Sequence, residues 1–583
     1  MFLLRKKAKG HTYCYLATKK RVGKASKTII VRKLGEESDL EASDPGLRKT
    51  MAEIERFNSE SEENKACVLK ELNPDRKCTD RTFRIGQLAV FAAMKEYGMS
   101  QDMRGRIEKT REKYDCTRIA SDLIAERIID PASKVRSYER IIENPLYGAK
   151  YSLQDTYKSL AKLAEYIDSI QDAMARRHPI REDSVVYYDT TNFYFEIERA
   201  DEEGGLRQYG ISKEHRPNPI VQMGLFTDLN GHPIWCNVNP GNTAECLTVL
   251  PSAALMSKAG ISNYIYCADA GIGSGRIKIH NNCAARRYVV AQSLKKLDET
   301  TEKWALSDDG WNLTTAKKTI SGLKRSDCPK DGFLWKETVR KLVVTLKDEK
   351  GKTGKTEIAE RIIVTYSDSS FRWETHKLEN KIKRAAASLR TSRETNPNST
   401  STILTSVAVD ADAEVLDDVS IVTEIDQKKV DKEAKYNGFY AVATNLQKDV
   451  KATDVLAINA RRFQIEDYFK EMKSTISARP MFVSKDESIQ GHTFICYLAV
   501  MVLMEIEARL AKKKIESTPA RLREAIASMQ VKEIPGLGYE PCHGGTESVR
   551  KIREAIEDEY GLGALEMEFI SEKKMKEIRK ALG

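Results

Sequence analysis

Two apolar runs that each deliver an aspartate constrain this chain more than any other feature. Val185-Val186-Tyr187-Tyr188-Asp189-Thr190-Thr191 and Tyr264-Ile265-Tyr266-Cys267-Ala268-Asp269-Ala270-Gly271 are β-branched and aromatic up to the acidic residue, so each reads as a buried strand. A carboxylate carried into such surroundings is costly without a partner. Two strand-borne aspartates therefore invite a shared cation. Taken singly, each also fits a helix cap or a turn acceptor.

Further strand-like runs lie at Ile220 to Phe226, Pro233 to Asn237 and Tyr288 to Val290, with a helix-like stretch from Ala244 to Lys258 between them. Strands interleaved with helices predict a mixed or parallel α/β sheet with its site at strand carboxyl ends. The 583 residues divide into segments of different character. Residues 1–35 read as a small basic β sheet and 36–180 as a helical region that is a candidate for DNA binding. Residues 181–294 form the first part of the α/β core and 295–432 a β-rich insertion. Residues 433–515 resume the core, and 516–583 read as a charged helical tail.

The net charge of +10 is concentrated. Arg5, Lys6, Lys7, Lys9, Lys19, Lys20, Arg21, Lys24, Lys27, Arg32 and Lys33 precede the first acidic residue, Glu36, which is a phosphate-facing composition. Tyr97-Gly98-Met99-Ser100 could be the turn of a helix-turn-helix, but turns of this kind join helices in proteins of every class, and an ordinary helix junction is the commoner reading. The cysteines include no C-x-x-C pair, so neither a zinc site nor a disulfide framework is expected. The longest apolar run, Phe494 to Met504, is far short of the roughly 20 residues that span a bilayer, and Met1-Phe2-Leu3-Leu4 is too short for a signal-peptide core. No membrane association and an intracellular location are expected.

A third carboxylate comes from a helix expected over 455–473. Arg462, Glu466 and Lys473 are spaced by four and seven residues, which at roughly 100° per residue puts them within about 40° of arc. Ile458, Ile465, Phe469 and Met472 form the buried stripe beside them, while Asp467 and Glu471 project to the opposite side. An amphipathic helix with an Arg–Glu pair at i, i+4 has the same appearance.

Together these segments resemble DDE-class insertion-sequence transposases of the branch marked by Tyr-x2-Arg-x3-Glu-x6-Lys. The resemblance runs from about residue 120 onward through Pro131-x-Ser133-Lys134, Tyr188-Asp189-Thr190-Thr191, Gly210-x-Ser212-Lys213, Arg216-Pro217, Gly241-Asn242-x2-Glu245, Asp269-Ala270-Gly271 and Gly491-His492. Arg462, Glu466 and Lys473 keep the signature spacing, but its tyrosine falls on Asn459.

The resemblance implies an RNase H-like catalytic domain interrupted by the β-rich insertion, with the N-terminal β-hairpin and helical region binding DNA. It implies a transposase that binds insertion-sequence ends, cleaves them by metal-dependent hydrolysis and joins the 3′-hydroxyl ends to target DNA. Asp189, Asp269 and Glu466 would be the catalytic residues and the ligands of two Mg²⁺ ions, with Mn²⁺ able to substitute. Asp189 would bridge both ions, in the two-metal arrangement of phosphoryl chemistry. Arg462, Lys473, Lys213 and Arg216 would contact DNA. Partners would be double-stranded DNA, both transposon ends and target, and a second copy of the chain in a synaptic homodimer. A prokaryotic, nucleoid-associated cytoplasmic location follows from that role.

A catalytically silent DNA-binding relative acting as a repressor is the alternative, and a glycosidase with paired carboxylates would need an aromatic sugar cleft. His492 is expected to open an apolar helix as a capping or core histidine. Asp410, Asp412 and Glu414 lack the glycine and final glutamate of a calcium loop. Lys377, Lys381, Lys383, Arg384, Arg390 and Arg393 give the insertion a basic helix suited to tracking DNA or simply to solvation.

Overall fold

Strand β5 (Ser184–Tyr194) is buried along almost its whole length, as an interior strand of a sheet covered on both faces. In this computed structural model, residues 1–22, 25–60, 68, 81–107, 113–315, 318–347, 353–391, 403–409, 420–534, 538–563 and 570–582 are described. Lys24, Arg393, the Ser/Thr/Asn tract at 395–402 and the Asp410, Asp412 and Glu414 group lie outside them.

The central sheet has ten strands. β5 pairs antiparallel with β6 (Ile220–Thr227), which pairs antiparallel with β7 (Pro233–Pro240). On its other side β5 runs parallel to β8 (Tyr264–Ala268), and β8 runs parallel to β9 (Arg286–Ala291). β9 then pairs with β16 (Phe439–Thr444), which lies far downstream in sequence.

The strands of the 295–432 segment extend this sheet. β12 (Leu334–Lys347) and β13 (Thr353–Tyr366) form a long hairpin, and β13 pairs with β16 from Arg361 to Tyr366. The basic helix of this segment spans Asp368–Thr391.

Alternation along the strands sorts the core into layers. Val186, Tyr188, Tyr266, Ala268 and Val290 pack on one face against Val249 and Met256 of the helix Glu245–Lys258. Val185, Tyr187, Cys267 and Val289 pack on the other against Ala452, Val455 and Leu456 of the helix Ala452–Ala460. A larger helical core gathers Gln87–Tyr97, Cys116–Ile129 and Leu153–Arg177 around the apolar helix Asp486–Lys512. None of the described helices is long and apolar enough to cross a membrane.

The amino-terminal residues form a three-stranded antiparallel sheet, β1 (Phe2–Ala8), β2 (His11–Val22) and β3 (Ala25–Glu36). Tyr97-Gly98-Met99 joins two helices, with Gly98 in the left-handed conformation at φ +83°.

Three local expectations differ. The closing segment is not purely helical, because β17 (Gln530–Ile534) and β18 (Gly538–Pro541) form a four-stranded sheet with β19 (Ile570–Ser571) and the distant β4 (Thr82–Arg84). That pairing spans some of the greatest sequence distances in the chain, beyond the reach of local periodicity. The helix predicted over 455–473 is two helices, Ala452–Ala460 and Phe463–Lys473. Between them the bonds shorten to the i, i+3 type, Arg462 N to Asn459 O, Gln464 N to Arg461 O and Ile465 N to Arg462 O, each 3.2 Å. The first helix is seated on the sheet and the second on the apolar helix Asp486–Lys512, so one straight axis cannot serve both. Finally, the apolar helix starts at Asp486, which puts His492 two turns in rather than at its opening.

Candidate functional site

The parallel register of β5 and β8 ends at the pair Tyr188 and Ala268, so Asp189 and Asp269 are the next residues of adjacent strands. Both continue the parity of Tyr187 and Cys267, whose side chains face the Ala452–Ala460 helix. Asp189 lies inside β5, which continues antiparallel to β6, and not at a strand end. The Tyr187 hydroxyl donates to Ile458 O at 3.0 Å and ties that helix to the strand carrying Asp189. Arg462 then caps the following helix, with Glu466 in its first turn.

One cleft of about 630 Å³ is lined by Asp189, Asp269 and Glu466 together with Lys213, Arg462 and Lys473. All six were expected from the sequence, the aspartates from their apolar runs, Arg462, Glu466 and Lys473 from helical spacing and Lys213 from the family resemblance, and Asp467 and Glu471 stay outside the cleft. Arg216 does not line it. Its guanidinium is exposed and lies 4.1 Å from the centroid of the Tyr194 ring.

Asp189 is 9% exposed, and burial raises its carboxyl against the opposing pull of Lys213. Lys213 Nζ stands 3.7 Å from Asp189 Oδ1 and 3.6 Å from Glu245 Oε1, and donates to the Thr190 carbonyl. Thr190 Oγ1 donates to Glu245 Oε1 at 2.6 Å. Arg462 Nη1 lies 3.5 Å from Asp269 Oδ2. Glu466 is exposed and, among the described residues, makes no hydrogen bond or ion pair. On the far wall Lys473 Nζ is 3.2 Å from Glu214 Oε1, and Arg479 pairs with the same carboxylate.

Lys213 and Glu245 reach the cleft because two glycines let their loops touch. A Cβ on Gly210 would meet Gly241 O at 1.9 Å, and one on Gly241 would meet Ile220 O at 2.1 Å. Glu245, Thr190 and Arg479 were not among the expected site residues. Glu245 had a signal in Gly241-Asn242-x2-Glu245, whereas nothing in the sequence marked Arg479.

Among the described residues no three His, Cys, Asp or Glu side chains are close enough together to hold a metal ion. The donor chemistry still fits a hard divalent cation, since the three carboxylates supply only oxygen ligands. The two aspartates are partly neutralised by Lys213 and Arg462, and Glu466 is unpaired at the rim.

A second cleft of about 870 Å³ adjoins the first through Asp269. Lys377, Lys381 and Arg384 of the basic helix, the exposed Trp373, Lys295 and Tyr440 line it.

A search of curated proteins finds no match. Among solved structures, a cryo-EM structure of a piggyBac transposase synaptic complex with hairpin DNA aligns with 85% of this chain and 84% of that chain. Its identity is 7% and its TM-score 0.34. The profile of the Transposase DDE domain matches residues 182–502, more than half of the chain and every residue lining the candidate cleft. The chain therefore belongs to the DDE-domain transposase family.

Proposed function

We propose that this protein is a DNA transposase of the insertion-sequence type that cleaves transposon ends and joins their 3′-hydroxyls to target DNA. Asp189, Asp269 and Glu466 are its catalytic residues and would hold two Mg²⁺ ions, with Mn²⁺ able to substitute. When bound, such a pair supplies activation of the attacking oxygen and stabilisation of the leaving one.

The observation that carries this reading is a single cleft in which three carboxylates from distant parts of the chain face Lys213, Arg462 and Lys473. The meander β7-β6-β5, continued by the parallel β8 and β9, supports an RNase H-like core. The protein's own groups hold and orient the DNA backbone. Arg462 and Lys473 offset phosphate charge beside the cut, and Arg462 presents a planar fork suited to a phosphodiester. Lys213 steadies the Asp189 strand through the Thr190 carbonyl. The basic helix bordering Asp269 extends the cationic track, and the amino-terminal sheet and helices bind the ends. Two copies would pair the two ends.

The test uses duplexes carrying the inverted repeats that flank the reading frame, with Mg²⁺. Asp189→Ala, Asp269→Ala and Glu466→Ala should each abolish cleavage while retaining end binding in EDTA. Cleavage surviving in any one of them removes that residue from the site.

A further inference from the structure

Two short motifs 358 residues apart in sequence, Pro131-x-Ser133-Lys134 and Gly491-His492, meet in space without touching the carboxylate cleft. Lys134 Nζ donates to His492 Nδ1 at 2.9 Å, and both side chains are 4% exposed. Cys496 Sγ lies 3.8 Å from the other ring nitrogen, Nε2. Arg127, 5% exposed, lies beside them and among the described residues donates only to carbonyls, those of Ala132 at 2.8 Å and Ser477 at 3.4 Å.

Two buried cations thus stand together, and among the described residues neither Arg127 nor Lys134 has a carboxylate within ion-pair distance. Unneutralised charge of this kind is costly in a protein interior. Burial, reinforced by Arg127, brings the Lys134 ammonium down to about 7.

The two cations line a cavity of about 210 Å³ with Ser133, His492 and Arg479. Ser133 is the N-cap of the helix Lys134–Glu143, so the positive end of that helix opens here as well. The volume is below the roughly 300 Å³ at which pockets for whole small molecules begin, and suits a compact oxyanion. Arg479 also lines the carboxylate cleft, and Phe482, 67% exposed, stands at the mouth as a surface on which a base can stack.

We propose that this cavity is a phosphate pocket in which Arg127 and Lys134 hold one backbone phosphate of the DNA strand that passes through the neighbouring cleft. The assignment of DNA as the source of the phosphate rests on the function proposed above.

Two variants of the full chain test it. Ser133→Asp keeps a good N-cap and places a carboxylate at the pocket, so it blocks an anion without unfolding the helix. Lys134→Met removes the charge at similar length. Inorganic phosphate, at ionic strength matched with chloride, should raise the unfolding temperature of the wild type saturably and leave both variants unmoved. In EDTA, end duplexes with a single neutral methylphosphonate should show one position that weakens wild-type binding about tenfold or more. That position should be silent in both variants.

Equal phosphate stabilisation in all three proteins, or none in any, overturns the pocket. So does a methylphosphonate profile shared by wild type and variants, and if the wild type still cleaves, the catalytic reading stands. Phosphate binding that the variants lose, in a protein that neither binds nor cuts end DNA, overturns the catalytic reading and with it the DNA source assigned here.

Discussion

The side-chain amide of Asn459 donates to the phenol oxygen of Tyr440 at 2.9 Å. Asn459 stands where the Tyr-x2-Arg-x3-Glu-x6-Lys spacing places a tyrosine, and the residue it holds is a tyrosine from β16. Burial raises the Tyr440 hydroxyl, so it stays protonated beside Arg462 and Asp269.

This pair predicts coupled stability effects. Tyr440→Phe strips the acceptor from an amide that is 8% exposed and should cost about 1–2 kcal/mol in denaturant unfolding. Asn459→Tyr should be worse, because its ring competes for the space of Tyr440. Adding Tyr440→Ala should recover part of that loss, giving a coupling of about 1 kcal/mol. Strictly additive effects would show that the two side chains do not depend on each other.

The raised carboxyl of Asp189 gives a pH prediction for the metal-free protein. A folded-state value above the unfolded one means that the folded protein binds the extra proton. The stability this contributes is present in acid and is lost as pH rises through the unfolded and then the folded value. Asp189→Asn should therefore unfold at a higher temperature than wild type at pH 7, with the gap closing toward pH 3. Its steepest change is about 1.4 kcal/mol per pH unit. A gap that widens in acid would mean that Asp189 is stabilised as the anion.

Glu214 pairs with both Lys473 and Arg479 on the cleft wall. Glu214→Gln frees two cations for phosphate contact, so end binding should tighten and its dependence on salt should steepen. The slope of log K against log salt should change by about 1 to 2, near 0.9 for each added contact. Titrations at several salt concentrations measure this, and an unchanged slope would place both cations away from DNA.

Gly491 lets the helix Asp486–Lys512 cross Leu153–Arg177 at close range. A Cβ there would meet Leu160 O at 2.2 Å, against backbone that has no rotamer to yield. Gly491→Ala should destabilise by about 3 kcal/mol despite its better helix propensity. A neutral or stabilised variant would show that the crossing is loose.

Arg216 separates a structural role from a DNA role. Its stacking on Tyr194 at an exposed site should contribute about 0.5–1 kcal/mol to folding. Arg216→Ala should lower stability by that amount and leave end affinity unchanged, whereas a selective loss of affinity would restore it to the interface.

Much of the candidate site was legible because its residues contradict their surroundings. Asp189 interrupts an apolar strand and Asp269 directly follows one, and a period-2 pattern is enough to locate them and their shared face. Glu466 and Lys473 were legible from helical spacing, since both lie on the unbroken helix Phe463–Lys473. Arg462 reached the cleft by a different route, as the cap after a bend set by two different packing partners, which periodicity does not record.

The sequence by itself determined which side chains are acidic within apolar strands, which helix face carries Glu466, and where the basic residues cluster, because these depend on neighbours within a few positions. Only the tertiary structure decided that β5 and β8 are adjacent in a register that ends one residue before each aspartate. Likewise, only folding joined Lys134 to His492, Asn459 to Tyr440, and β4 to β17. Such contacts depend on where loops of tens to hundreds of residues close, and the energy that selects one closure is spread over the whole core.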